Sequence, residues 1–296
     1  MSTVASSHRA KRFGRPLRGT QAASRPKLPL SAFIICQNEE EYLGNCIKSL
    51  IQCTEIIIVD SGSSDGTREL VQRYIDDGWP IRFVHQDWLG YAGQKQFALD
   101  QCSQPWCLSI DADERLDEPL KDALPKLLEA PETTVGWRIA RRPYLIGYGY
   151  TPRRAHERRN LRLIRNGREA FDQSLKVHEG IVPKGHVENS KQGSLLHFRP
   201  LPIEEQILKE NKYSSLKVDQ LIEAGKAPRP LRLLINPPLY FLRLYVRNGF
   251  WRCGIPGLIQ AMTGAAYSFL TESKMYQRHA LERKPPVDDM DIGDRT

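Results

Sequence analysis

The sequence lacks the cysteine pairs that mark disulfide frameworks and zinc sites. Its six cysteines are scattered, with no CxxC pair and no cysteine–histidine spacing of a metal ligand set. Most lie inside apolar runs, which favours buried free thiols in a reducing compartment. There is no internal repeat, and no G-x-G-x-x-G follows the first predicted strand, which disfavours a nicotinamide dehydrogenase.

Long apolar runs are also missing. The N-terminal segment is rich in Ser and Arg without an apolar core, so we expect no secretory signal; because no acidic residue precedes Glu39, a transit peptide stays open. The nearest approach to a membrane span, residues 253–271, contains Pro256, Gln260 and Thr263. It is too polar to predict insertion across a bilayer.

The composition is that of a globular protein with an excess of positive charge. Of its 296 residues 40% are hydrophobic and 26% charged, so the chain can bury a core as one large domain or two small ones. Lys and Arg number 43 against 35 Asp and Glu, a formal net charge of +8. Such a surface favours anionic partners: nucleotides, phosphorylated sugars, nucleic acid or an acidic membrane face.

The chain divides by its hydrophobic pattern. Residues 1–27 are basic and lack periodicity, which predicts a disordered leader that either solubilises the protein or contacts a membrane or nucleic acid. From Leu28, short apolar runs alternate with amphipathic segments, the pattern of a parallel α/β sheet. Strands are predicted at residues 30–35, 55–60, 81–84 and 106–110, and helices at 42–50, from about 67, and through 97–99 after a glycine-bearing loop at 90–95.

The pattern loosens in the second half. Strands of a mixed region are predicted at residues 135–140, 161–165 and 194–198. From Ile203 the chain is predicted to be helical, broken into short pieces by Pro228, Pro230, Pro237, Pro238 and Pro256.

Acidic side chains follow three predicted strands, at Glu39, Asp60 and the pair Asp111 and Asp113. We call these four residues the acidic edge, because ligands bind at the carboxyl ends of strands in open α/β sheets. Clustered carboxylates repel unless a cation compensates them, and Mg²⁺ or Mn²⁺ with oxygen ligands often shares a phosphate group. The edge therefore predicts a divalent metal and a nucleotide diphosphate, although an acidic pair is also common in surface turns.

Four motifs follow one another between residue 28 and about residue 120. They are FIICQNEE at 33–40, IIVDSGSSDGT at 57–67, Lys95 in its glycine-bearing loop, and LSIDADE at 108–114. Together they resemble the motifs of glycosyltransferase family 2. That resemblance implies a GT-A fold, a Rossmann-like mixed sheet flanked by helices, and sugar transfer from a nucleotide donor, usually with inversion. VHE at 177–179 and the segment 249–270 more narrowly resemble the lipopolysaccharide-core β-1,4-glucosyltransferase branch.

The resemblance also implies roles for the acidic edge. Glu39 and Asp60 would hold uridine and its ribose, and Asp111 would face the ribose or donor sugar. Lys95 would meet the diphosphate charge, and Asp113 would be the principal ligand of Mg²⁺ or Mn²⁺.

Plainer roles remain open for some of these groups. Asp60 and Asp65 would then only cap turns, Asp65 at the start of the helix near Thr67, and Lys95 would be a solvated helix residue.

An inverting transfer needs a base that accepts the proton of the acceptor hydroxyl. In the branch resembled, the natural candidate is Glu179. Asp172 and Glu188 are alternatives, and His178 would support the base or bind the acceptor. His197 is either a further metal ligand or a core histidine.

Two regions are candidates for acceptor and membrane contact. Arginines crowd residues 138–168 among Trp137, Tyr144, Tyr148 and Tyr150, which predicts either a face for an anionic sugar acceptor or a solvated loop. Residues 231–247 mix bulky apolar residues with arginines and no acids. This predicts either an interfacial helix on an anionic membrane or helices packed on the catalytic domain.

The whole sequence thus predicts a leader at 1–27, a GT-A catalytic domain at 28–226 and a helical region at 227–296. The expected activity is inverting transfer of a hexose, with glucose from UDP-glucose favoured, to a lipopolysaccharide-core or related glycolipid. The expected location is cytoplasmic, on the inner face of the cytoplasmic membrane. The alternatives are a family 2 transferase for another polysaccharide or a lipid-phosphate carrier, and a basic nucleic-acid-binding protein, which no recognised binding motif supports.

Overall fold

The computed structural model describes residues 25–152, 159–167, 169–171 and 181–283. Its first half alternates strands and helices: β1 (Leu28–Cys36), α1 (Leu43–Ser49), β2 (Cys53–Asp60), α2 (Thr67–Asp76), β3 (Ile81–His85), α3 (Gly90–Asp100) and β4 (Trp106–Ser109). The four strands are parallel and lie in the order β3-β2-β1-β4. The predicted parallel α/β half is therefore confirmed.

The second half completes a mixed sheet. It contains β5 (Glu114–Leu116), α4 (Glu118–Leu128), β6 (Thr134–Leu145), β7 (Gly149–Tyr150), β8 (Arg159–Arg165), β9 (Glu169–Phe171), β10 (Ile181–Pro183) and β11 (His186–His197). The sheet continues from β4 through β8, β6 and β11 to β5, while β7 pairs with β6, and β9 with β10. β8 is antiparallel to both neighbours, and β11 is parallel to β6 but antiparallel to β5. The predicted mixed region is confirmed.

Alternation along β1 divides the core between the two faces of the sheet. Ala32 and Ile34 face the larger cluster, which is closed by α1, α2 and α4. Phe33 faces the other cluster with Ile57 and residues of α3. Since neighbouring side chains of a strand point to opposite faces, a strand covered by helices on both sides must be apolar throughout.

The predicted loop at residues 90–95 is wrong, because α3 begins at Gly90. Gln94 fixes this start: its Oε1 accepts from the Leu89 backbone N–H at 3.2 Å and its Nε2 donates to the Gln86 carbonyl at 3.0 Å. Two glycines in the first turn suggested a loop, but burial of Ala92 and Gln94 against the sheet outweighs their low helix propensity.

The helical C-terminal region contains α5 (Ile203–Glu223), α6 (Pro230–Leu242), a π-helical turn (Arg243–Arg247), a 3₁₀ turn (Phe250–Cys253) and α7 (Gly254–Arg283). The expectation of short pieces is wrong, since α5 has 21 residues and α7 has 30. Pro256 lies in the first turn of α7, where a backbone N–H has no partner within the helix. Pro237 and Pro238 lie inside α6. The predicted boundary between residues 226 and 227 falls between α5 and α6 and stays a prediction.

The structure also bears on the expectations about the cysteines, the membrane spans, the basic leader and the fold class. All six cysteines are buried and free. Among the described residues no helix is both long and apolar enough to cross a bilayer. Of the basic leader only residues 25–27 are described, and there Arg25 pairs with Glu118 and Asp122. The curled mixed sheet with flanking helices and a helical C-terminal region confirms the predicted GT-A class.

Candidate active site

The loops after β1 and β2 interlock at the carboxyl edge of the sheet. Asn38 is the one residue other than glycine with positive φ in the described ranges, at 57°. This conformation turns its Oδ1 toward the next loop, where it accepts from the backbone N–H of Ser64 at 2.8 Å. Asp65 accepts from the N–H of Thr67 at 3.0 Å and of Glu40 at 3.2 Å. Asp65 is not the N-cap of α2, because Gly66 occupies that position and makes no side-chain cap bond. The Asp65 carboxylate instead ties the two loops together.

Asp60 ends β2 and faces its own loop. Its side chain is fully buried and accepts from the N–H of Gly62 and of Ser63, from the Ser63 hydroxyl and from Arg68 Nε at 3.1 Å. Burial alone would raise the pKa of this carboxyl, but the hydrogen bonds from Ser63, Arg68 and Gly62 leave it lowered. The carboxylate therefore organises the loop, and its contact with uridine stays a prediction.

A charge network surrounds Asp111. Lys95 Nζ lies 3.0 Å from Asp111 Oδ1, and Arg162 donates to Asp111 Oδ2 at 2.9 Å. Burial would raise the Asp111 pKa, but Arg162 and Lys95 outweigh it and hold this pKa well below its usual range. Lys95 is itself buried, so it is not a solvated helix residue. The pair places a cation at the site, as the predicted diphosphate contact requires.

Glu114 is the fixed centre of this network. Its side chain is fully buried and accepts from Arg141 Nε at 2.6 Å, from Arg162 at 3.0 Å and from the Asp111 backbone N–H at 3.1 Å. A buried carboxylate is tolerated only when donors satisfy it in this way. Glu114 thus orients both Arg162 and the backbone of Asp111.

Asp113 lies in a second cluster, with His197 and Arg199. Its Oδ2 is 3.1 Å from His197 Nε2 and 2.8 Å from Arg199 Nε, and Arg199 also reaches Glu39. Burial would raise the Asp113 pKa, but His197 and Arg199 lower it. For Glu39 the balance is reversed, since burial outweighs Arg199 and leaves its pKa raised. Residues from the loop after β1, from the Asp111–Glu114 turn and from the end of β11 and the residues that follow it therefore meet at one point.

An aromatic cleft opens beside Asp113. Tyr42, Asp113, Arg115 and Phe198 line it. Phe198 packs edge-to-face on Tyr144 with ring centroids 4.8 Å apart. Sugar rings pack against aromatic faces of this kind, but the cleft is narrow, with room for about one water molecule, so a sugar could enter it only if the lining side chains moved.

The donor set at Asp113 fits a divalent ion. A carboxylate oxygen and an imidazole nitrogen converge there, a set that Mn²⁺ accepts, and Mg²⁺ or Mn²⁺ commonly takes its other ligands from phosphate and water. No cluster of three potential protein ligands occurs among the described residues, so phosphate oxygens would have to complete the shell. Metal binding by Asp113 and by His197 stays a prediction.

Of the residues considered for the base, Glu188 is the one that lies within the described ranges. Glu179, Asp172 and His178 lie outside the described residues. Glu188 lies near the start of β11, where it accepts from Thr134 Oγ1 at 3.0 Å. Its partner on β6 is Trp137, which is six residues from Pro143, the partner of His197. At about 3.3 Å per residue Glu188 therefore lies roughly 20 Å from His197, too far for the proton transfer proposed for it.

Most described arginines of the middle region bind the protein itself. Besides Arg141 and Arg162, Arg159 donates to the Ser190 carbonyl at 2.6 Å and Arg165 to the Thr134 carbonyl at 3.0 Å. Neither the acceptor face nor the solvated loop describes these four arginines, because β-sheet packing uses their side chains. Arg153, Arg154, Arg158 and Arg168 lie outside the described residues.

Sequence reasoning missed Arg199 and the structural role of Glu114. Arg199 follows β11, and the antiparallel pairing of His197 with Glu114 brings this strand end beside Asp113. The signal available in the sequence was a polar pair, His197 and Arg199, directly after a predicted strand. Nothing local indicated which strand would lie next to it.

Glycosyltransferases are among the proteins that resemble this chain in sequence over most of its length. A family model of glycosyl transferase family 2 matches residues 31–179. The lipopolysaccharide core biosynthesis glycosyltransferase LpsC of Rhizobium meliloti (strain 1021) is 69% identical over 264 residues, which cover 89% of this chain and 98% of that protein. An uncharacterized glycosyltransferase of Rickettsia typhi is 27% identical, covering 83% of this chain and 86% of that protein.

Two solved structures that align with this chain are much less similar to it in sequence than LpsC is. The mannosyltransferase PcManGT from Pyrobaculum calidifontis, in complex with GDP-Man and Mn²⁺, gives a TM-score of 0.46 at 15% identity, covering 89% of this chain and 84% of that one. S. aureus TarS 1-349 in complex with UDP-GlcNAc gives 0.44 at 13% identity, covering 89% and 95%. The family match and the near-complete alignment with LpsC establish that the chain belongs to glycosyl transferase family 2.

Proposed function

We propose that this glycosyltransferase is an inverting hexosyltransferase of lipopolysaccharide core biosynthesis that uses UDP-glucose. It would act on a core or related glycolipid acceptor at the inner face of the cytoplasmic membrane. The observation that carries the proposal is the 69% identity to LpsC over 98% of that protein. The acidic edge and the aromatic cleft support it chemically, since one suits a nucleotide diphosphate and the other presents aromatic rings on which a sugar can pack.

In this proposal the charge cluster around Asp111 and the cluster around Asp113 contact different parts of the donor. Glu39 and Asp60 hold the nucleoside, and Lys95 with Arg162 presents positive charge beside Asp111, where the diphosphate and donor sugar lie. Because the cations are already fixed by Glu114 and Asp111, little reorganisation is needed when negative charge develops on the leaving group.

The transfer itself is a single displacement. The acceptor hydroxyl oxygen bonds to the anomeric carbon as the bond to the diphosphate breaks, so UDP leaves and the configuration inverts. The hydroxyl proton passes to the base, for which we propose Glu179. Asp113 and His197 would hold the divalent ion, which when bound stabilises negative charge on the departing diphosphate.

Donor and acceptor are tested separately. Calorimetry with UDP-glucose, UDP-galactose, GDP-mannose and ADP-glucose, each with and without Mn²⁺, should show the tightest binding for UDP-glucose with metal. Transfer should then occur to lipopolysaccharide with a truncated core and not to a polyprenyl phosphate. Preferred binding of a GDP-sugar, or transfer to the polyprenyl phosphate alone, would contradict the proposal.

The base is tested by Glu179→Gln, which keeps the shape and hydrogen-bonding capacity but cannot accept a proton at neutral pH. We expect near-normal UDP-glucose affinity and transfer reduced by about 10²–10⁴-fold. Parallel loss of donor affinity would assign Glu179 to binding, and an unchanged rate would move the base to Asp172 or His178.

A further inference from the structure

Helices α6 and α7 form an antiparallel hairpin, which we call the C-terminal hairpin. Asn236 donates to Glu272 at 2.6 Å, and the Tyr240 and Tyr267 rings lie 6.3 Å apart. The crossing is tight, since a Cβ on Gly264 would lie 3.0 Å from the Tyr240 ring. The two helices are joined by the π-helical and 3₁₀ turns, which form the tip of the hairpin.

The C-terminal hairpin leaves large apolar side chains in solvent. No residue of α6 is buried. On α7, exposed apolar residues recur at three- and four-residue spacing, which places them on one face of the helix. The exposed members of both helices and the tip include Leu231, Leu234, Leu239, Leu242, Val246, Trp251, Ile255, Leu258, Ile259, Met262 and Phe269. So many exposed large apolar side chains on two packed helices are characteristic of a binding face.

The charge of the same segment has a single sign. Residues 224–271 contain no Asp or Glu. The cations of this segment are all exposed and comprise Lys226, Arg229, Arg232, Arg243, Arg247 and Arg252. Exposed apolar residues combined with arginines fit an anionic bilayer, whose headgroups attract the cations while its interior accepts the apolar side chains.

The tip is attached to the catalytic domain at the turn between β6 and β7, residues 145–149. Leu145 is buried against Phe250 and Cys253. A Cβ on Gly147 would lie 3.5 Å from Pro256. Ile146 and Tyr148 of this turn are 54% and 43% exposed, so they extend the apolar surface of the tip.

The same turn leads into the aromatic cleft. Tyr144 and Tyr150 flank it, pair across β6 and β7, and both pack near Phe198, which lines the cleft with Asp113. The apolar surface and the candidate site are therefore joined by a short aromatic path rather than lying on opposite sides of the molecule.

We propose that the C-terminal hairpin and the β6–β7 turn insert together into the interface of an anionic phospholipid bilayer. The acceptor sugar then enters the cleft along the aromatic path, with movement of the lining side chains, while its lipid stays in the membrane. This acceptor route rests on the proposed function, whereas the membrane contact stands on the exposed surface alone. It extends the contact from the segment 231–247 to α7 and to the catalytic domain, and it fixes which side of the site faces the lipid.

The test is sedimentation of the full-length protein with vesicles of phosphatidylcholine, alone or mixed with phosphatidylglycerol. We expect binding to the mixed vesicles only. Ile255→Asp should weaken it by roughly tenfold or more, because an isoleucine contributes about 1.5–3 kcal/mol when it leaves water. Ile146→Asp should weaken it in the same direction. Leu281→Asp is the same kind of change at 74% exposure against 73% for Ile255. Leu281 lies at the far end of α7 from the tip and outside the acid-free residues 224–271, so this change should leave binding unchanged.

UDP calorimetry on each variant distinguishes a specific loss of vesicle binding from a loss of the folded protein. Normal UDP binding with lost vesicle binding supports the proposal. Absence of vesicle binding by the wild type, or equal losses for Ile255→Asp and Leu281→Asp, overturns it. A dimer in sedimentation velocity that Ile255→Asp dissociates, without vesicle binding, would assign the surface to a second copy instead. Failure of the wild type to bind UDP would contradict the proposed function and leave the vesicle result intact.

Discussion

The acidic edge and the C-terminal hairpin differ in whether their charged side chains are paired with groups of the protein. At the acidic edge every described carboxylate is matched by cations or N–H donors of the protein, as Asp111 is by Lys95 and Arg162. In the hairpin, arginines are exposed and residues 224–271 supply no acid. Charged side chains are therefore paired with each other where chemistry is expected, and cations are exposed without acids where a partner is expected. Net charge alone did not distinguish these two uses.

The sharpest way to break the comparison is to remove the charge at Asp113. Asp113→Asn keeps the volume but leaves Arg199 and His197 without the negative charge that they share. We expect loss of transfer by about 10³-fold or more, together with loss of metal-dependent UDP binding, while the fold persists. Activity assays with and without chelator measure this. Asp122→Asn, an exposed carboxylate paired with Arg25, is the control; wild-type turnover in Asp113→Asn would refute the metal assignment.

Buried and exposed carboxylates should also differ in stability. Glu114→Ala removes the buried carboxylate that Arg141 and Arg162 share, while Arg162 keeps its pair with Asp111, and we expect a loss of about 2–4 kcal/mol in the free energy of unfolding. Glu118→Ala removes only an exposed partner of Arg25 and Lys121, and should cost about 1 kcal/mol or less. Urea unfolding compares the two variants directly, and equal losses would show that Glu114 is not the fixed centre of the network.

Three of the four carboxylates of the acidic edge should also lower stability as the pH falls, whereas the raised pKa of Glu39 acts in the opposite direction. The pKa values of Asp60, Asp111 and Asp113 are lowered, so the unfolded chain binds more protons than the native protein as these groups titrate. Their contribution is therefore complete above the ordinary carboxyl pKa of about 4 and is lost as the pH falls through the lowered values. Unfolding free energies between pH 2 and pH 6 should show this fall. Asp60→Asn should flatten it, and an unaltered slope would contradict the Asp60 assignment.

The smallest expected effect concerns the exposed arginines of the C-terminal hairpin. Arg247→Gln in the hairpin tip should weaken binding to anionic vesicles by about fivefold, since one basic residue near such a surface contributes about 1 kcal/mol. Raising the salt concentration should reduce the difference between variant and wild type. Vesicle sedimentation at two ionic strengths measures both effects. Arg278→Gln, whose residue pairs with Asp219 beyond the acid-free segment, should bind as the wild type does.

Local patterns predicted much of the first half of the fold but few of its pairings. The apolar runs located β1 to β4, and the residues at their ends located the acidic edge. The partners of those residues come from β8 and β11, and their position depends on strand register, which no local pattern reveals. Arg162 and Arg199 were therefore missed as partners of the acidic edge. The start of α3 was missed because burial of Ala92 and Gln94 outweighed two glycines, and the length of α7 was missed because Pro256 lies in its first turn, where it does not break a helix.

The ion pair between Arg199 and Glu39 has a consequence for the order of assembly during synthesis. The two residues are 160 positions apart in the chain. When the parallel strands β1 to β4 have left the ribosome, Glu39 and Asp113 still lack Arg199 and His197, and Asp111 still lacks Arg162. In the nascent first half Asp111 therefore has Lys95 but not Arg162, and Glu39 and Asp113 lack Arg199 until β11 joins the sheet. A nucleotide-binding pocket can thus be completed only late in translation.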